Sequence, residues 1–256
     1  MRSCLGCVAV GFGLSLIGVG VGAQGFVQPD SFGWSRGDAH STYAEWDDFA
    51  SAVQPNAPDI GMFPVPLPAG WTPPTVQETT GTAFLTSTGN IYSFTTVLEF
   101  EVQVPAEPMV GGTTTVLLQT KTLGREIDPA TIVCDGQGPV EVVELYRFNL
   151  GPDDIFGGDL VETLWRFEVP ADGTMTITFE SLDTSVSLDA VAVDTFSVPA
   201  TCLADVNQNG TVEPADFSAW IAAFNTGSPL ADQNQNGTVE PADFSAWIAN
   251  FNAGCP

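Results

Sequence analysis

The sequence predicts a mainly β protein, in which a β-sandwich or jelly-roll body is followed by a small α-helical module. Three observations support this prediction. Apolar and polar residues alternate in several stretches of residues 24–197, as in strands with one packed face and one solvated face. The chain contains 26 Gly and 19 Pro, which form turns between strands. Residues 207–222 recur unchanged at 234–249, and each copy ends in a helical periodicity.

The composition excludes several classes of protein. The 256 residues include 6 Lys plus Arg against 31 Asp plus Glu, so the formal net charge is -25. Because phosphate contacts need Lys and Arg, we expect neither nucleic acid nor an anionic membrane surface as a partner. The single histidine, His40, argues against a His-based triad or a multi-His metal site within one chain. At 44% apolar residues the chain is too hydrophobic for a disordered acidic protein.

Residues 1–23 have the pattern of a secretory signal peptide. Arg2 gives a short positive region, residues 8–21 are apolar and uncharged, and Val21-Gly22-Ala23 offers small residues for cleavage. An uncleaved anchor is the alternative, but the apolar run is short and glycine-rich for a membrane helix, which needs about 20 apolar residues. We therefore expect a secreted protein, extracellular or attached to the cell surface, with no membrane insertion after cleavage.

The body, residues 24–197, carries strand signals in eight segments, and residues 198–201 form a short linker to the module. The segments are 82–88, 93–104, 113–121, 130–134, 139–148, 163–169, 174–181 and 185–196. About eight strands between Gly and Pro turns favour a sandwich or jelly roll. The stretch from Trp165 to Phe196 resembles the closing strands of galactose-binding-like jelly rolls, a group that includes many carbohydrate-binding modules.

The first third of the body is less regular and leaves its role open. Four aromatic side chains there either stack on sugar rings or, as we favour, fill the core: Trp34, Tyr43, Trp46 and Trp71. Four acids would supply the carboxylate pair of a glycoside hydrolase: Asp38, Glu45, Asp47 and Asp48. Such clustering is expected in a chain with 31 acidic residues, and we predict a non-catalytic protein. Cys134 is predicted to be a small buried hydrophobe.

Each copy of the C-terminal repeat has the spacing of a calcium loop. Asp or Asn stands at positions one, three and five, Gly at six, Thr at seven and Asp at twelve. The predicted ligands are Asp205, Asn207, Asn209, Thr211 and Asp216 in one loop, and Asp232, Asn234, Asn236, Thr238 and Asp243 in the other. Position seven contributes only its backbone carbonyl, and Glu213 and Glu240 add a ligand through water. Because calcium takes six to eight oxygens at flexible distances while magnesium demands a tighter octahedron, the sequence predicts two calcium ions.

A helix is predicted after each loop. Pro214 and Pro241 suit the first helical turn, where the missing N–H costs nothing. Apolar residues then recur at i, i+3, i+4 and i+7 in both copies: Phe217, Trp220, Ile221 and Phe224, then Phe244, Trp247, Ile248 and Phe251. A single short helix is marginal in water, so we expect the two helices to bury these stripes against each other.

Residues 202–256 resemble a dockerin domain of the bacterial type that begins with Cys and ends in Gly-Cys-Pro. The resemblance is carried by Cys202, the two loops, the two FSAWIA segments and Gly254-Cys255-Pro256. It implies two antiparallel loop–helix calcium motifs, a Cys202–Cys255 disulfide (two free thiols being the alternative) and attachment of the protein to a cohesin module.

The sequence departs from cellulosomal dockerins in two ways. Pro-Ala stands at loop positions ten and eleven, where hydroxyl residues are common, and residues 202–256 contain no Lys or Arg. The expected partner is therefore a cohesin-like or other cell-surface or scaffold receptor, and a polysaccharide is a partner if the body binds carbohydrate.

Overall fold

The structure is a computed structural model. It describes residues 25–109, 111–135, 141–152, 159–200 and 202–254. The predicted signal peptide, residues 1–23, and Cys255 lie outside the described residues.

The described residues form twelve strands and two α-helices. The strands are β1 (Ser41–Trp46), β2 (Ile60–Met62), β3 (Thr75–Glu78), β4 (Phe84–Leu85), β5 (Ile91–Tyr92), β6 (Glu99–Val104), β7 (Thr113–Gly124), β8 (Ile127–Cys134), β9 (Val143–Pro152), β10 (Asp159–Pro170), β11 (Met175–Ser181) and β12 (Val186–Val198). The helices are α1 (Pro214–Thr226) and α2 (Ala242–Ala253), and short 3-10 helices span Pro29–Phe32 and Pro229–Ala231.

Two antiparallel sheets form the sandwich-like body. The larger sheet has the strand order β2-β1-β12-β7-β10-β9, with β5 hydrogen-bonded to β12 and β4 to β5. The smaller sheet has the order β3-β6-β11-β8. The predicted fold class is confirmed: the chain is mainly β, with a sandwich body followed by a region of two helices.

The main core lies between the two sheets and is built from large aromatic and aliphatic side chains. Strands β6 and β11 bury alternate residues, as the sequence pattern predicted, because only one face of the smaller sheet points into the core. Phe100 stands opposite Phe179 in the strand register, with ring centroids 5.5 Å apart. Trp46 and Trp165 add the largest fully buried side chains.

Residues 25–40 cover the outer face of the larger sheet, so the prediction of one wet face is wrong there. Phe26 packs against Tyr43, and Trp34 stacks on Phe196 with ring centroids 5.2 Å apart. Arg36 holds the segment down, because its Nε and Nη2 donate to the two carboxylate oxygens of Asp194 at 2.7 and 2.9 Å. Strands β7 and β12 are consequently buried along almost their whole length.

The helical region has a smaller core than its sequence predicted. Helix α1 begins at Pro214, as expected, while Pro241 is the residue that precedes α2. Ile221 and Ile248 are each 41% exposed and do not belong to the core, which corrects the predicted stripe. The buried residues of α1 are Asp216, Trp220 and Ala223. Because the helix turns Asp216 towards the preceding loop, Ile221 lies on a different face of the helix from these three residues.

Neither helix in the described part of the chain combines the length and the apolar character that crossing a membrane would require.

Candidate metal centre

Two loops of almost the same conformation precede the helices: loop one, residues 205–216, and loop two, residues 232–243. Gln208 and Gly210 have φ of 58° and 83°, and Gln235 and Gly237 have φ of 56° and 82°. This left-handed conformation suits glycine, which explains the glycine at position six of each loop. The identical repeat therefore folds twice into the same turn.

The side-chain oxygens of loop one converge on its own backbone amides. Asn209 N–H donates to Asp205 Oδ1 and to Asn207 Oδ1, each at 3.0 Å. Gly210 N–H donates to Asp205 Oδ2 at 2.7 Å, and Thr211 N–H donates to Asn209 Oδ1 at 2.9 Å. The structure thus brings together the predicted side-chain ligands at positions one, three and five.

Loop two repeats this arrangement bond for bond. Asn236 N–H donates to Asp232 Oδ1 at 3.1 Å and to Asn234 Oδ1 at 3.0 Å. Gly237 N–H donates to Asp232 Oδ2, and Thr238 N–H donates to Asn236 Oδ1, both at 2.8 Å.

The aspartate at position twelve closes each loop from the first turn of the following helix. Asp216 accepts Asn207 N–H on Oδ1 at 3.1 Å and Glu213 N–H on Oδ2 at 2.9 Å. Asp243 accepts Asn234 N–H on Oδ1 at 3.2 Å and Glu240 N–H on Oδ2 at 2.8 Å. All five predicted ligand positions of each loop therefore belong to one compact turn that is joined to its helix.

The charge of these two aspartates makes the loops candidates for a cation. Asp216 and Asp243 both have 0% of their surface exposed. Residues 202–256 contain no Lys, Arg or His that would neutralise them. A buried carboxylate without a positive partner is costly, even when backbone N–H groups satisfy its oxygens. A bound cation would supply the missing positive charge.

The available donors fit calcium better than other metals. Among the described residues, no three His, Cys, Asp or Glu side chains come together in a way that could hold a metal ion. A site in either loop therefore needs amide and backbone carbonyl oxygens beside its two aspartates. Calcium accepts such neutral oxygen ligands, whereas transition metals select imidazole and thiolate. Glu213 and Glu240 lie at the loop margins, where each accepts an N–H from an Asn side chain at 3.1 Å.

The two repeats are tied together next to the loops. Trp220 Nε1 donates to the carbonyl of Ala231, the residue that precedes loop two, at 3.2 Å. Gln233 Nε2 donates to the carbonyl of Leu203 at 2.7 Å, and Asn250 Nδ2 of α2 donates to the Gln233 carbonyl at 3.1 Å. These hydrogen bonds connect the start of loop two with both helices and with the residue two positions before loop one.

The described residues include two cysteines, Cys134 and Cys202. Cys255, the implied partner of Cys202, lies outside the described residues, so the Cys202–Cys255 disulfide stays a prediction. Cys134 is a free thiol with 2% of its surface exposed, which confirms the buried position expected from the sequence. Burial, followed by the charge of Asp135, raises the pKa of the Cys134 thiol to about 12.

Three of the four aromatic residues in the first third of the body fill cores. Trp34, Tyr43 and Trp46 are 5%, 2% and 0% exposed, so they cannot stack on a sugar ring. Trp71 is half-buried and lines a shallow cleft of about 390 Å³ beside His40 and Glu107. The core interpretation is confirmed for the first three residues.

The four acids of the same region take part in local structure. Asp38 Oδ2 accepts Ser35 N–H at 2.8 Å, and Glu45 accepts the Tyr43 hydroxyl. The backbone N–H groups of Asp47 and Asp48 donate to Asp59 Oδ2 at 2.8 and 3.1 Å. Burial and the negative charges of Asp59 and Glu45 raise the pKa of the Asp47 carboxyl. The absence of catalysis stays a prediction.

The sequence did not reveal one group of aromatic side chains, the exposed Phe84 and Phe94 and the half-buried Tyr92, which line a cleft on the larger sheet. Tyr92 and Phe94 are separated by one residue, the spacing of neighbours on one strand face. That spacing could have indicated that the two rings are neighbours. The rest of the cleft could not be predicted from it, because Leu123 and Ser187 come from distant parts of the chain.

No protein-family model matches the chain, and no curated protein matches it either. The functional assignment therefore rests on the residues and their geometry.

Proposed function

We propose that the chain is a secreted, non-catalytic protein that is held at a cell surface or scaffold through a calcium-binding, dockerin-like C-terminal module, residues 202–256. One observation carries the proposal. Two fully buried carboxylates, Asp216 and Asp243, stand at equivalent places of two identical loops, in a segment without a positively charged residue. Such a pair of buried charges is stable when each loop takes up a divalent cation.

Calcium, when bound, supplies the positive charge at the centre of each loop. The ligands at positions one, three and five lie before the helix, and the ligand at position twelve lies within its first turn. Binding therefore fixes the loop on the helix, and metal-binding energy becomes folding energy because the unfolded chain lacks the site. The contacts of Trp220 and Gln233 connect the two halves, so each ion stabilises the whole module.

The module also exposes apolar side chains that support a docking role. Ile221 and Ile248 occupy the same place in the two repeats and are each 41% exposed, and Phe244 is 40% exposed. Large apolar side chains exposed on so small a module are candidates for contact with a protein partner. The receptor is a cohesin-like module or another surface protein, and its docking face is expected to offer apolar side chains that cover Ile221 and Ile248.

The calcium part of the proposal is tested by titration calorimetry and native mass spectrometry on the protein without residues 1–23. We expect two calcium ions per chain. The single variants Asp216→Asn and Asp243→Asn should each retain one ion, and the double variant none. A wild-type protein that takes up no calcium in stoichiometric amounts would remove the basis of the proposal.

The anchoring part is tested by retention of the purified protein on washed cells of the producing organism, in calcium and in EGTA. Retention should require calcium. The variant Ile221→Ala/Ile248→Ala should still bind two ions but lose retention, because only the docking face is altered. Equal retention in calcium and in EGTA would contradict anchoring through this module.

A further inference from the structure

We infer that the body carries a binding site for an uncharged saccharide in a cleft beside the β4–β5 hairpin, which we call the aromatic cleft. It is lined by three aromatic residues, Phe84, Tyr92 and Phe94, by hydroxyl and amide side chains of the same hairpin, and by Leu123, Gly124, Ser185 and Ser187. Its volume is about 460 Å³, within the range of small-molecule sites. This inference goes beyond the proposed anchoring function and does not depend on calcium binding.

The aromatic rings form a preassembled cluster in which Phe84 and Phe94 are exposed and Tyr92 is half-buried. Phe84 and Phe94 are stacked with centroids 5.5 Å apart, and Tyr92 meets Phe94 edge to face with centroids 4.7 Å apart. Phe94 is 67% exposed and Phe84 is 42% exposed, unlike the other large aromatic side chains of the body core. Apolar rings held in water at this exposure are typical of a binding surface. The C–H faces of a pyranose ring are flat and apolar enough to cover them.

Hydroxyl and amide groups stand next to the rings. Thr86 Oγ1 and Thr88 Oγ1 lie 2.9 Å apart, and Thr88 Oγ1 donates to Asn90 Oδ1 at 3.2 Å. Asn90 Nδ2 in turn donates to Ser187 Oγ at 3.1 Å. Because Asn90 and Ser187 are buried, these bonds fix the positions of the Thr86 and Thr88 hydroxyls. Thr88 and Ser87 are exposed, so a sugar can reach the Ser87 hydroxyl and the remaining lone pair of the Thr88 hydroxyl oxygen.

The charge of the cleft selects the ligand class. None of the described residues that line it carries a charge. The whole chain has a formal net charge of -25, which repels anionic polymers. A lining of rings beside a row of neutral hydroxyls matches a molecule with apolar C–H faces and many neutral hydroxyl groups, which is an uncharged saccharide rather than a phosphate, a sulfated glycan or a cationic peptide.

The test is native affinity electrophoresis of the full protein without residues 1–23, in gels containing mixed-linkage β-glucan, xyloglucan, galactomannan or arabinoxylan. Polygalacturonate and carrageenan serve as anionic comparisons. We expect at least one neutral polymer to retard the protein and the anionic polymers to leave its mobility unchanged. Phe94→Ala and Tyr92→Ala should weaken the apparent affinity by at least about tenfold, as truncation of an aromatic anchor does.

Two further variants make the test specific. Phe148→Ala removes a ring that is 47% exposed on β9, outside the lining of the cleft, and should bind as the wild type does. Ser87→Ala removes an exposed hydroxyl from the lining of the cleft and should weaken binding without changing the melting temperature. The Asp216→Asn/Asp243→Asn variant should be retarded normally, which separates this site from the calcium module.

Four outcomes would overturn the inference. The first is that no neutral polymer retards the protein, and the second is that an anionic polymer retards it instead. The third is that Phe94→Ala and Tyr92→Ala are retarded as strongly as the wild type. The fourth is a wild-type dimer that Phe94→Ala converts to a monomer in size-exclusion chromatography, since the rings would then be covered by a second copy of the chain.

Discussion

Replacing Asp216 by Asn distinguishes a metal ligand from a residue that only caps a helix. The fully buried carboxylate accepts two backbone N–H groups. In EGTA, Asn keeps one acceptor and loses a hydrogen bond worth about 1.5–3 kcal/mol. The change also removes a buried negative charge that has no cationic partner, which offsets that loss. We therefore expect the free energy of unfolding of the calcium-free module to change by less than about 1 kcal/mol.

In calcium the same substitution is expected to be strongly destabilising. For a dissociation constant of about 10 μM, which lies in the range of sensor loops, about 1 mM calcium stabilises the folded state by roughly 2.7 kcal/mol per site. Losing one site removes most of that stabilisation. For a module of this size the melting temperature should fall by roughly 10–20 °C.

The assay is hydrogen exchange of residues 203–254 in the protein without residues 1–23, together with thermal melting by circular dichroism, in calcium and in EGTA. The matched control is Asp172→Asn, which changes an exposed aspartate of the body and should have no effect in either condition. A destabilisation of equal size in calcium and in EGTA would refute the reasoning, because Asp216 would then act only as a helix-terminal residue.

Three other predictions concern the body and the cysteines. Arg36→Met leaves the Asp194 carboxylate, whose side chain is 1% exposed, as a buried charge without a partner, and should lower the free energy of unfolding in urea by about 3–5 kcal/mol. Adding Asp194→Leu should restore more than half of the lost stability, and no recovery in the double variant would contradict this explanation. Native protein should not react with iodoacetamide near pH 8, because the Cys134 thiol is buried and its pKa is raised to about 12, and fast native alkylation would contradict this. After unfolding without reductant, the protein without residues 1–23 should gain one alkyl group by mass if Cys202 pairs with Cys255; three groups would disprove the disulfide.

The sequence predicted best those features whose partners are near in the chain. Each copy of the repeat was expected to form a loop that leads into a helix, and it does so, because the residues of each loop lie within twelve consecutive positions. The calcium that these loops are expected to bind stays a prediction. Strands β6 and β11 were found from their alternation, since the smaller sheet has one buried face.

Features that depend on distant contacts were missed. Strand β1 has four of its six residues buried, because residues 25–40 and the second sheet cover its two faces, and its sequence therefore shows no alternation. The aromatic cleft joins the β4–β5 hairpin to Leu123 and Ser187, which no local pattern connects. The exposure of Ile221 was missed because helical periodicity alone does not reveal that Asp216 faces its own loop.

The pairing of β1 with β12 has a consequence for biogenesis. Strand β12 ends the body and lies inside the larger sheet, hydrogen-bonded to β1, β5 and β7. The Arg36–Asp194 ion pair likewise joins two residues 158 positions apart. A nascent polypeptide therefore cannot complete the larger sheet before Val198 has been synthesised. If the chain is exported as proposed, closure of this sheet must wait until most of the body has crossed the membrane.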